Sequence, residues 1–138
     1  MFIPLAEHAT GQRQDMSDFA DLQGNVGMLL LLLALSWSLA AFGEEVAYRG
    51  YVLTRVTDVL GRGRVGLVVA IAVSSVLFGL IHTEQGAVGV MLTTLDAVAF
   101  SVLRLRCRTV WAPVLAHGFN NTIGFLAFFL AGPVYGFW

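Results

Sequence analysis

Two adjacent carboxylates and an arginine, in Glu44-Glu45-Val46-Ala47-Tyr48-Arg49, are planted in a chain of otherwise membrane-compatible residues. On a helix Arg49 falls one turn beyond Glu45, an i,i+4 pair in the favourable acid-first order. Glu44 lies about 100° around the same helix. Glu45 is therefore expected to be held by Arg49 for structure, leaving Glu44 free to meet a water or a substrate. Two further polar features accompany the pair. His82 ends a face formed by Ser75, Phe78 and Gly79 at i, i+3, i+4, i+7 spacing, with small residues that permit close helix contact. His117 and Asn121 share a helical face at i,i+4. A carboxylate with two imidazoles can bind and deprotonate a water and protonate a leaving amine, and it can also bind zinc. In a soluble protein the acidic pair would read as a solvated face and each histidine as packing.

The surroundings decide otherwise. With 57% hydrophobic and 12% charged residues and a mean hydropathy of +0.77, the chain has too little polar surface to coat a globule. An all-α polytopic membrane helix bundle of about four transmembrane spans is expected, with membrane lipid as its first partner. The net charge of -1 gives no electrostatic case for nucleic acid. All basic residues are arginines. The single cysteine, Cys107, lies among Arg104, Arg106 and Arg108, cannot form an internal disulfide and reads as incidental.

The elements that must position these side chains follow in order. Residues 1–23 are a polar N-terminal arm carrying Glu7, Asp15, Asp18 and Asp21 against Arg13. They lack the basic start and apolar core of a signal peptide, so a mobile arm or surface helix is expected, with His8 solvated. Residues 24–138 form the membrane-embedded domain. Its first span, 24–43, is long enough to cross a hydrocarbon core of about 30 Å. Residues 44–60 would not insert alone, because each of Glu44, Glu45, Arg49, Arg55 and Asp58 costs roughly 3 kcal/mol at the bilayer centre. One straight helix over 24–60 would measure about 55 Å, so a break near Gly43 or a strong tilt is expected.

A turn at Gly61-Arg62-Gly63-Arg64 leads to a second span over 65–82, and residues 82–86 turn into a third that reaches about residue 105. Asp96, in its middle, must point inward, and a structural role with hydrogen bonds to neighbouring helices is the expectation. The last span covers about 111–130. Pro113 is expected to kink it one turn before His117, and Tyr135, Phe137 and Trp138 have the character of a membrane interface. Five arginines fall in the two turns on one side, so the positive-inside rule puts those turns in the cytoplasm and both termini outside.

Glu44-Glu45-x-x-x-Arg49, Phe78-x-x-x-His82, and Trp111-Ala112-Pro113 leading to His117-x-x-x-Asn121, in this order and spacing, resemble the CPBP family. That family includes type II CAAX prenyl endopeptidases and bacteriocin-processing or immunity proteins. The resemblance covers roughly residues 30–130. It implies intramembrane peptide-bond hydrolysis without a covalent intermediate. Glu44 would be the catalytic acid/base, with Glu45 and Arg49 completing its motif and Phe78 supporting the site. His82 would assist in activating water, and His117 and Asn121 would position it and stabilise the oxyanion. The implied substrate is a peptide or protein, prenylated if the CAAX likeness extends that far. The implied location is a prokaryotic plasma membrane. CAAX endopeptidases of this kind resemble a larger bundle with more helices before the acidic pair, so a shortened member, or a homo-oligomer that completes its bundle by self-association, is expected.

Three mechanisms follow from the residues. The first is a glutamate-dependent endopeptidase that binds no cofactor and shows a bell-shaped pH profile. The second is a zinc site of Glu44, His82 and His117, which the absence of an HExxH motif leaves without local support. The third is a non-catalytic immunity or peptide-binding protein, for which so many costly ionisable groups are unnecessary.

Overall fold

Asn25 starts the first long helix by accepting the Met28 N–H on its side chain at 3.0 Å, a cap that precedes the apolar run from Val26 to Leu35. The computed structural model describes His8 and residues 11–132. Among the described residues a 3-10 helix (Ser17–Leu22) precedes α1 (Val26–Leu60), α2 (Arg64–Leu80), a 3-10 turn (Thr83–Gln85), α3 (Gly86–Cys107) and α4 (Trp111–Ala131), and there is no strand. The aromatic tail at 135–138 lies outside the described residues.

Of the two alternatives expected for residues 24–60, a break near Gly43 or a strong tilt, helix α1 excludes the break. It runs unbroken for 35 residues, but its hydrogen bonding widens to the π pattern over Ser36–Glu44 and again over Val46–Val52. Long π stretches are rare and concentrate at functional sites. Two of the charges in its second half are neutralised inside the protein, while Arg55 and Asp58 are exposed towards its end. Arg49 pairs with Glu45 within the helix, and His117 reaches Glu45 from α4. Helices α1, α3 and α4 are each long and apolar enough to cross a membrane. The 17-residue α2 is apolar but shorter, about 25 Å at 1.5 Å per residue.

The four helices close into a ring. The C-terminal third of α1 packs on α2, α2 on α3, α3 on α4, and α4 returns to the π-helical part of α1. Two glycines set the approach distances. A Cβ at Gly79 of α2 would collide with Thr94 of α3 and sit 2.8 Å from the Val90 carbonyl oxygen. A Cβ at Gly118 of α4 would come within 2.6 Å of the Trp37 ring of α1. Helix α4 begins at Trp111, so Pro113 occupies its first turn, where a missing N–H leaves no intrahelical bond unmade and the reason given for a kink does not apply.

Polarity is distributed inside out. Glu45, Arg49, Ser74 and Ser101 have no exposed surface, while Leu30, Leu39, Val65, Val68, Ile123 and Leu130 face outward. Such a shell suits hydrocarbon, where apolar surface has nothing to escape from and polar groups must be satisfied internally. The arm is tied to this ring. Leu22 is fully buried against Leu29 and Phe128, and Phe19 packs on Phe125 and Phe128 at centroid distances of 5.6 and 6.2 Å. The Asp15 N–H donates to the Gln85 carbonyl oxygen at 3.1 Å, and the Gln14 side-chain amide donates to that of Gln85 at 2.9 Å. His8 is exposed.

Candidate active site

The two glutamates of α1 part company as the helical wheel requires. Glu45 is completely buried, and its Oε1 accepts from Arg49 Nη1 at 2.9 Å. The same oxygen lies 3.0 Å from His117 Nδ1 on α4. An ionised carboxylate beside an arginine only accepts, so Nδ1 carries the proton and the ring presents Nε2 as its free nitrogen. Glu45 thus fixes both the orientation and the tautomer of His117. Phe100 stacks on the imidazole at 5.3 Å, and Phe78 meets it edge to face at 6.1 Å. Those two rings also lie against the Arg49 guanidinium, at 5.5 and 4.3 Å. Among the described residues Nε and Nη2 of that guanidinium have no hydrogen-bond partner, and the aromatic faces add stabilisation.

Glu44 faces the other way. It lines a cavity of about 790 Å³ together with Phe78, His82, His117 and Asn121. Its Oε2 is buried without a hydrogen-bond partner among the described residues. At the end of α2 the His82 Nδ1 lies 2.9 Å from the Phe78 carbonyl oxygen. A carbonyl can only accept, so Nδ1 donates and Nε2 holds the lone pair, as a partner for water requires. Asn121 donates from Nδ2 to Ser36 Oγ at 3.0 Å, which anchors the amide to the π-helical part of α1. One residue further along both helices, Trp37 Nε1 donates to Thr122 Oγ1 at 3.1 Å, clamping the same pair of helices.

The residues singled out in the sequence therefore separate into two layers. Glu44, Phe78, His82, His117 and Asn121 reach one cavity, and Glu45 and Arg49 sit behind its wall. Cys107 is exposed at the end of α3, away from this layer. Asp96 corrects its expectation. It lines the cavity and, among the described residues, makes no hydrogen bond to a neighbouring helix. Sequence reasoning missed Ser36 and Phe100. Phe100 stands one turn after Asp96, and that offset was a signal that could have found it, whereas nothing in the sequence marks Ser36. It also missed the contribution of the arm, whose Gln14, Met16 and Phe19 line the same cavity. Among the described residues no group of three His, Cys, Asp or Glu side chains is placed to hold a metal ion.

A protein-family model described as Type II CAAX prenyl endopeptidase Rce1-like matches residues 26–123, well over half of the chain, from the start of α1 into α4. No curated protein and no solved structure matches.

Proposed function

Because the chain belongs to the Rce1-like family of type II CAAX prenyl endopeptidases, integral membrane proteases, we propose that it hydrolyses a peptide bond with a water activated by Glu44. The observation that carries this reading is the division of the acidic pair. Glu45 is neutralised by Arg49 and shared with His117, while Glu44 keeps an unpartnered oxygen in a cavity that His82 also lines.

In the proposed reaction Glu44 takes a proton from water while Nε2 of His82 accepts the other hydrogen bond. The hydroxide equivalent attacks the scissile carbonyl carbon, forming a C–O bond and a tetrahedral oxyanion. The second Nδ2–H of Asn121 donates to that oxyanion, and His117, held by Glu45 through Nδ1, positions the attacking water through Nε2. Collapse breaks the C–N bond, and Glu44 passes its proton to the leaving amine. No step uses a metal ion or a covalent enzyme intermediate.

The substrate is a peptide or protein segment reaching the cavity from the membrane, and a prenylated C-terminal peptide is the first to test. The chain is proposed to be a multi-pass protein of a prokaryotic plasma membrane, with its arginine turns cytoplasmic. The test is cleavage of that peptide by the purified chain in lipid, with and without a strong chelator, beside Glu44→Gln. Cleavage that resists chelation and vanishes in the variant supports the mechanism. Cleavage lost on chelation and restored by zinc replaces it with a metalloprotease.

A further inference from the structure

Asp96 stands at the middle of α3 and is not used in the mechanism above. It shares its helical face with Thr93 and Phe100, three residues before and four after it, and all three line the cavity. The Thr93 hydroxyl bonds back to the Gly89 carbonyl oxygen at 2.9 Å, so it is satisfied within its own helix. Asp96 has no hydrogen bond or ion pair to another side chain among the described residues. The cation of the interior, Arg49, has its Nη1 committed to Glu45 and its face covered by Phe78 and Phe100. A carboxylate at mid-span is costly wherever it meets lipid, roughly 3 kcal/mol, and this one is exposed and lines the cavity.

Among the described residues the cavity lining holds two carboxylates, Glu44 and Asp96, and two imidazoles, His82 and His117, with no arginine, and the chain has no lysine at all. A cationic occupant would find at Asp96 a carboxylate with no hydrogen-bond or ion-pair partner among the described residues. The position sets a range. Phe100, which stacks on His117, is one turn along α3 from Asp96, a rise of about 6 Å. An extended peptide advances about 3.3 Å per residue, so Asp96 stands roughly two residues from the layer of reacting groups.

We propose that Asp96 is a specificity residue that receives a basic side chain of the substrate, a lysine or arginine within about three residues of the scissile bond. This rests on the protease reading for the word substrate, but the charge recognition can be measured without turnover. A fluorescently labelled apolar decapeptide carries one lysine, moved through successive positions, and is compared with the same peptide bearing norleucine. Binding to the full chain in nanodiscs is followed by anisotropy.

The wild type is expected to favour the best lysine peptide by about tenfold, as a charge-assisted hydrogen bond warrants. That ratio should collapse towards one in Asp96→Asn and survive in Asp96→Glu. Equal binding of the two peptides by the wild type overturns the proposal without recourse to any variant. A lysine preference that persists in Asp96→Asn also overturns it, by assigning recognition to another group. A ratio unchanged by Asp96→Asn while turnover falls makes Asp96 a proton carrier instead, which likewise overturns it. A wild type that prefers the lysine peptide through Asp96 but cleaves none of the series leaves the subsite standing and removes the protease reading.

Discussion

At the scale of single residues, the site depends on one carboxylate serving two neighbours. Glu45 Oε1 accepts from both Arg49 and His117, so each substitution around it should fail in a different way. Arg49→Ala leaves a buried carboxylate short of its counter-charge, a loss of about 3–5 kcal/mol, and should appear as a lowered unfolding midpoint in detergent together with poor yield. Glu44→Gln removes no ion pair. It should abolish cleavage while keeping the unfolding midpoint within a degree or two, and near-normal turnover in that variant would refute the assigned role. Ser36→Ala frees the amide of Asn121. A stability loss of about 1 kcal/mol with a larger fall in kcat than in KM is expected, because the amide is then no longer aimed. The partition of Glu44 from Glu45 was legible in the sequence, since one residue of helical offset separates a face from its neighbour. Ser36 was not. A serine in an apolar run carries no mark of the asparagine 85 residues later that it will hold.

At the scale of elements, close approach governs. Gly79 lets α2 lie against Thr94 and Val90 of α3, and Gly118 lets α4 lie against Trp37 of α1. Gly118→Leu should push α4 off that ring and cost about 1–3 kcal/mol as overpacking, read as a drop in unfolding midpoint with lost activity. Gly124, on the same helix, has open space where its Cβ would go. Gly124→Ala should therefore stabilise, by roughly 0.5–1 kcal/mol, and the opposite signs of two glycine changes in one helix separate packing from propensity. The existence and apolar character of the helices could be read from hydropathy. The continuity of α1 could not, because the argument for a break or a tilt rested on a length of about 55 Å, and hydropathy carries no mark of the π-helical hydrogen bonding that runs through residues 36–52. The docking of the arm was hidden for a related reason. Polar composition over 1–23 masks Phe19 and Leu22, which do the packing.

At the scale of the whole molecule, the arm ties pH to the cavity mouth through Asp15. Hydrogen bonds from the Ser17 side chain and backbone hold the Asp15 carboxyl below the ordinary carboxylate range. A folded-state value below the unfolded one contributes stability that is present at neutral pH and lost as pH falls through the lowered value. Amide exchange of residues 14–22 should therefore quicken on acidification before that of α3, and Asp15→Asn should remove the difference. Insertion can be tested as directly. Reporters fused at the Gly61–Gly63 and Arg108–Thr109 turns are expected to report one and the same side of the membrane, and opposite sides would undo the four-helix arrangement.

The bond between Glu45 and His117 spans 72 residues of chain, and that between Asn121 and Ser36 spans 85. Both are closed by the last helix. At a synthesis rate of about 5–20 residues per second, Glu45 therefore waits roughly 4–14 s after leaving the ribosome before its second partner exists. During that interval the charged half of α1 has only Arg49 to shield it, so nascent chains arrested before Trp111 should be the ones that cellular surveillance removes. The protein passes through its most vulnerable state in the time it takes to write its final span.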